Sequence, residues 1–167
     1  MKKSAIVLGG AVLGLILATG IAQAADKFAY IDLSRTFSEF NKTKGYDKNL
    51  SEKEKSYTED RDKKVAELKA FQDKLNLLND KEREAKKDEL QTKIKSFQDY
   101  DRTKQADLKK EQEEKMKEIL KDIEEAVKKY SEKEGLTFVF NDRVLVYQTK
   151  AFDITSKVIE ILNKGSK

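Results

Sequence analysis

KLNLLNDKERE, residues 74–84, interrupts an otherwise uniform stretch, and its reading decides the fold. From Tyr46 to Glu134 the chain contains no glycine, proline or cysteine and is dense in Lys, Glu, Asp, Gln, Ala and Leu. Such a composition is strongly helical by propensity and too polar to hide inside a compact domain. Within it, Asn79 followed by Glu82 has the form of a capping box, with Asn in the Ser/Thr place, and so marks a helix start. Leu77-Leu78-Asn79-Asp80 therefore reads as the turn of a helical hairpin. An outgoing helix over about 46–77 would be about 50 Å long at 1.5 Å per residue, and a longer helix over about 80–131 would return.

The flanks require this turn. Lys27–Leu33 (KFAYIDL) reads as a strand, followed by Ser34 as the cap of a short helix that carries Phe37 and Phe40 and ends over Asn41–Gly45. Beyond Gly135, LTFVF (136–140) and RVLVY (143–147), joined by Asn141-Asp142, read as a β-hairpin. Asp153 can cap a closing helix with Ile154, Val158, Ile161 and Leu162 on one face. One sheet can hold both β regions only if the segment between them goes out and comes back. The expected architecture is mainly α with a small β body. A long antiparallel hairpin arm (46–119) projects from a discontinuous, β-containing oligomerisation domain (25–45 and 120–167).

That body is small and has no disulfide to staple it, which points to assembly. Its strands carry large apolar residues at successive positions, so both sheet faces need cover. Phe28, Tyr30, Ile31, Leu33, Phe138, Phe140, Val144 and Val146 are the candidates for the core of a homo-oligomer. Near the body, Met116, Leu120, Ile123, Val127 and Tyr130 form a heptad seam. Its extension meets Gln112, Lys109, Gln105 and Arg102, and the stripe from the tip meets Asp101, Lys104, Glu111 and Lys115. A zipped coiled coil needs apolar positions sustained over several heptads. The arm is thus expected to be firm at its root, weakly held midway and able to bend. Toward the tip, Leu68, Phe71, Leu75, Leu77, Leu78, Leu90, Ile94 and Phe97 exceed what one seam uses, and some of them can face outward to touch a partner.

Residues 1–24 are of another kind. Lys2 and Lys3 precede an apolar run, and Ala22-Gln23-Ala24 supplies a small-x-small cleavage site, the pattern of a secretory signal peptide. Export without lipidation follows, since the chain has no cysteine. Histidine is absent too, so the commonest acid–base group, the thiol nucleophile and the usual zinc ligands are all missing. No phosphate-binding glycine loop or calcium-loop spacing appears. An enzyme, a cofactor or a metal site is not expected. Loss of Lys2 and Lys3 reduces the net charge of +4 to +2, which gives no basis for a nucleic-acid partner. Residues 69–95 hold eight basic and six acidic side chains, enough only for weak contact with an anionic membrane surface.

KFAYIDLSRTF at the start, the charged helical hairpin, GLTFVFNDRVLVY and the closing AFDITSKVIEIL together resemble the Skp (OmpH-like) family of periplasmic chaperones, over the entire mature chain. The resemblance implies a trimer with a central β body and three arms around a cavity. Its implied function is to hold unfolded outer-membrane proteins in the periplasm without ATP until they insert. A structural spacer of the cell envelope is the other reading open to a long charged arm.

Overall fold

The computed structural model describes residues 26–165; the proposed signal peptide lies outside them. Strand β1 (Phe28–Ile31) leads into a short helix α1 (Leu33–Glu39) and then α2 (Asn41–Leu75). Helix α3 (Asp80–Glu134) runs back to strand β2 (Phe138–Asn141), two 3-10 turns follow, and α4 (Thr155–Gly165) closes the chain. Both β regions share one sheet, as the hairpin requires. The fold is mainly helical with a small β body and a long helical arm.

The sheet differs from the expected hairpin. β1 and β2 pair in parallel, with Phe28 opposite Phe138 and Ile31 opposite Asn141. Parallel strands need a crossover, and here the crossover is the whole helical segment. The last turns of α3 run past the sheet and return the chain to the start of β1, where Lys27 Nζ donates to the Glu134 carbonyl. The segment 143–147 is not a strand. The favoured two-residue hairpin turns all need positive φ at the first turn residue. Among the described residues no non-glycine residue has positive φ, and Asn141 sits at φ −73°. Its side chain instead accepts from the Arg143 amide, opening a 3-10 turn over Asp142–Val144. On its other edge β1 is bridged by Asp153, and the Ile154 amide donates to the Tyr30 carbonyl at 3.0 Å.

The core joins Ala29 and Ile31 of β1, Phe40, Ile119, Ile123 and Ala126 of α3, and Ile154, Val158 and Leu162 at the C-terminal helix. The expected face of the closing helix is therefore the buried one, with Ile161 packed at its edge. On α3 the seam is rotated from the expectation. Ile119 is buried, whereas Met116 and Leu120 are exposed, because α4 and the α1–α2 elbow cover the face that carries Ile119, Ile123 and Ala126.

Two local readings also shift. Asp32, not Ser34, caps α1, accepting from the Arg35 amide at 2.8 Å. The chain does not leave helical structure between Asn41 and Gly45. It breaks at Phe40 alone (φ −70°, ψ 125°) and resumes at once, with Gly45 inside α2. A break of this kind orphans a carbonyl on one side and an amide on the other. Asn163 of α4 meets both: its Oδ1 accepts from the Asn41 amide at 2.8 Å and its Nδ2 donates to the Glu39 carbonyl at 3.2 Å.

At the far end α2 stops at Leu75 and α3 begins at Asp80. Asn79 Oδ1 accepts from the Glu82 amide at 3.0 Å, the cap that its sequence implied. At the near end Gly135 caps α3 at φ 66°, ψ 38°, a left-handed conformation that glycine adopts without Cβ strain.

Candidate functional site

Two surfaces stand out, one on the arm and one on the body. On the arm, α2 and α3 lie side by side and leave a groove of about 550 Å³ toward the tip. Leu68, Phe71 and Phe97 line it, with Lys64, Lys74 and Lys93 among the flanking residues. The helical repeat that brings Leu68, Phe71 and Leu75 to one face of α2 also explains the groove's apolar lining. Lys93 Nζ stands 5.3 Å from the centre of the Phe71 ring, and Lys64 Nζ stands 4.7 Å from that of Tyr100. Each cation lies over the electron-rich face of an aromatic ring. Burial, followed by the nearby Asp60 carboxylate, raises the Tyr100 hydroxyl above its usual pKa.

The remaining tip candidates divide by exposure. Leu75 is buried between the helices, and Leu78 and Leu90 are half-buried. Leu77, at the apex, is 86% exposed, and Ile94 and Val65 are also open to solvent. An arm surface of this kind offers scattered apolar contacts among mixed charges.

Between tip and root the seam turns polar, and the side chains there pair across the helices. Tyr57 Oη donates to Asp101 Oδ1 at 2.6 Å, and Arg61 Nε donates to the same oxygen at 3.0 Å. Gln105 Nε2 donates to Asp101 Oδ2 at 3.0 Å and to Tyr57 Oη at 3.1 Å. Lys53 and Glu111 form an ion pair at 2.6 Å. At the root, Lys42 reaches Glu118 and Asp122, both at 2.6 Å. Hydrogen bonds from Lys115 and then Lys42 hold the Glu118 carboxyl down to about 2. Sequence reading found Asp101, Gln105 and Glu111 only as gaps in the apolar stripe and did not single out their partners Lys53 and Arg61. Opposite charges recurring at the seam's own spacing were the signal for pairing.

On the body, Phe28, Phe138 and Phe140 stack on one face of the sheet, with Phe28–Phe138 centroids 5.8 Å apart at 9°. All three are substantially exposed, as are Val144, Val146, Tyr147 and Phe152 beyond β2. A pocket of about 260 Å³ opens beside them, lined in part by Tyr30, Phe140, Leu145 and Tyr147. Of the other oligomer-core candidates, Tyr30 and Ile31 are buried within this chain and Leu33 is half-buried. Burial, then Asp153 and Asp142, raises the Tyr30 hydroxyl above its usual pKa.

Comparison with known proteins gives concordant results. Residues 27–162 match the family described as outer membrane protein (OmpH-like). A curated relative, the chaperone protein Skp of Pectobacterium atrosepticum, is 27% identical over 96% of this chain and 98% of its own length. Among solved structures, an OmpH-like protein of Caulobacter crescentus superposes with a TM-score of 0.77. That match covers 85% of this chain and 86% of the other at 13% identity, and it speaks for the fold alone. The chain belongs to the OmpH-like outer membrane protein family, the family of the Skp chaperones.

Proposed function

We propose that this protein is an ATP-independent holdase of the bacterial periplasm that binds unfolded outer-membrane proteins and keeps them from aggregating before insertion. The observation that carries the reading is the arm itself. It is a long two-helix projection with apolar side chains at its tip groove, apex and outer faces, set among balanced charges. Clients of this kind expose apolar strands that would pair edge to edge if left unshielded. Many weak contacts suit a holder that must also release, and several arms around one client raise the effective concentration of each contact.

The body supports assembly. A stacked aromatic face and the apolar segment beyond β2 lie open in the single chain, a pattern expected of an oligomer interface. Family resemblance gives three as the number of copies. The proposed division is a signal peptide over 1–24, an oligomerising body built from 25–45 and 120–167, and the arm between them.

The direct test dilutes an unfolded outer-membrane β-barrel protein with and without the mature chain and follows light scattering. Suppression without added nucleotide is expected, along with its loss when residues 58–103 are replaced by a short turn. Unchanged aggregation in the presence of an intact assembly would leave the envelope-spacer reading in its place.

A further inference from the structure

The seam of the arm has apolar packing at both ends and a polar centre, yet the polar side chains occupy the same helical register as the apolar ones. Arg61 precedes Leu68 by seven residues, and Leu68 precedes Leu75 by seven. Asp101 stands four residues from Phe97 and seven from Leu108, both half-buried. In a two-helix seam these are the positions that leucine fills, and a polar residue there lowers stability in return for a defined register. Two carboxylates tie the helices together here, Glu111 through Lys53 alone and Asp101 through more partners than any other group of the centre. Asp101 accepts from Tyr57 and Arg61 of α2 and from Gln105 of its own helix. Its side chain is 22% exposed and that of Arg61 44%, so water competes for every one of these bonds.

We propose that the arm is two stiff segments joined by a latched hinge, with the Asp101 carboxylate as the latch. The mechanical reason is shear. Two helices locked side by side bend in their common plane only if one slides or stretches against the other. When the lock between them opens, each helix bends separately and the pair becomes far more compliant. The Leu68–Phe97 region remains packed on one side of the hinge, and the Ile119–Ile123 core remains packed on the other. Bending is thereby confined to the segment spanning Lys53–Arg61 and Asp101–Glu111. In the holdase reading, which this consequence rests on, the latch sets how far the arms spread around a large client.

The chain has no cysteine, so a spin-label pair introduced at Lys81 and Lys121 reports alone. Pulsed distance measurement on the assembled mature protein, labelled subunits being diluted with unlabelled ones, reads the arm across the hinge without any client. Wild-type protein should give a narrow distribution at low salt, with a tail toward shorter distances appearing near 1 M salt, where the Debye length falls to about 3 Å. Asp101→Asn should show that tail at both salt concentrations. The double change Arg61→Leu with Asp101→Leu should abolish it at both, since leucine suits the register. An Asp101→Asn distribution as narrow as wild type, or a wild-type distribution indifferent to salt, would overturn the latch. So would a broadened double variant. The salt series needs no substitution at the hinge, so it decides the matter even if a variant folds poorly. Because no client is present, a failed hinge and a failed holdase assay are separate results.

Discussion

Ile119 and Asn163 show how much single side chains carry in so small a body. Ile119 is 1% exposed and meets the core from α3. Replacing it with alanine removes buried methyl groups and leaves a cavity, which should cost about 2–5 kcal/mol. Leu77→Ala at the apex should cost almost nothing, and chemical denaturation of both variants checks the contrast. Asn163→Ala strands an amide and a carbonyl at the α1–α2 break, an expected loss of about 1–3 kcal/mol. Glu118 adds a pH dependence. Its carboxyl is lowered from 4.5 to about 2 by Lys115 and Lys42, so the folded state favours the ionised form. The stabilisation is fully present above 4.5 and is lost as pH falls toward 2. Wild-type protein should therefore lose thermal stability more steeply over that interval than Glu118→Gln. Parallel curves in circular dichroism melts would remove this role.

At the scale of elements, the two internal glycines of the helical region call for opposite outcomes. Gly45 lies within α2, with open space where a Cβ would stand and no positive φ. Gly45→Ala should stabilise the protein by about 0.5–1 kcal/mol, because alanine gives up less backbone freedom on entering a helix. Gly135 has equal space but sits at φ 66°, where a Cβ is strained. Gly135→Ala should destabilise by about 1–2 kcal/mol. Thermal melts of the pair separate conformation from crowding, since neither site is crowded. At the tip, Asn79→Ala removes the cap of α3 and should cost about 1 kcal/mol. Hydrogen exchange should place that loss in the first turn of α3 and leave the body unchanged.

For the whole molecule, arm and body should be separable. The core cluster of the body draws on β1, Phe40, the root of α3 and the C-terminal helix, while cross-helix pairs such as Tyr57–Asp101 hold the arm. Replacing residues 58–103 with a short turn should therefore preserve the assembly state in sedimentation. Folded monomers from that protein would move the assembly site into the arm. Phe71→Ala or Phe97→Ala should weaken client holding only slightly, since each is one contact among many. Titration of an unfolded barrel protein against these variants and the arm-truncated form makes the comparison, and a near-total loss from either single change would point to one dominant site.

What the sequence by itself determined is whatever depends on neighbours along the chain. The breaker-free helices, the Asn79 cap and Gly135 follow from local backbone preference, and the face of α4 follows from helical spacing. Tertiary structure decided the rest. Nothing local to residues 138–141 says that β2 pairs with β1 in parallel, because that partner lies more than a hundred residues away. Nothing in the spacing of α3 chooses Ile119 over Leu120, since both suit a helical stripe and only the placement of α4 and the α1–α2 elbow covers one of them. The same holds for Asp101. Alone it interrupts an apolar seam, and it becomes a junction only when α2 brings Tyr57 and Arg61 within reach. Hydrogen bonds and burial across elements depend on distances through space, which the order of residues constrains only after the chain has folded back on itself.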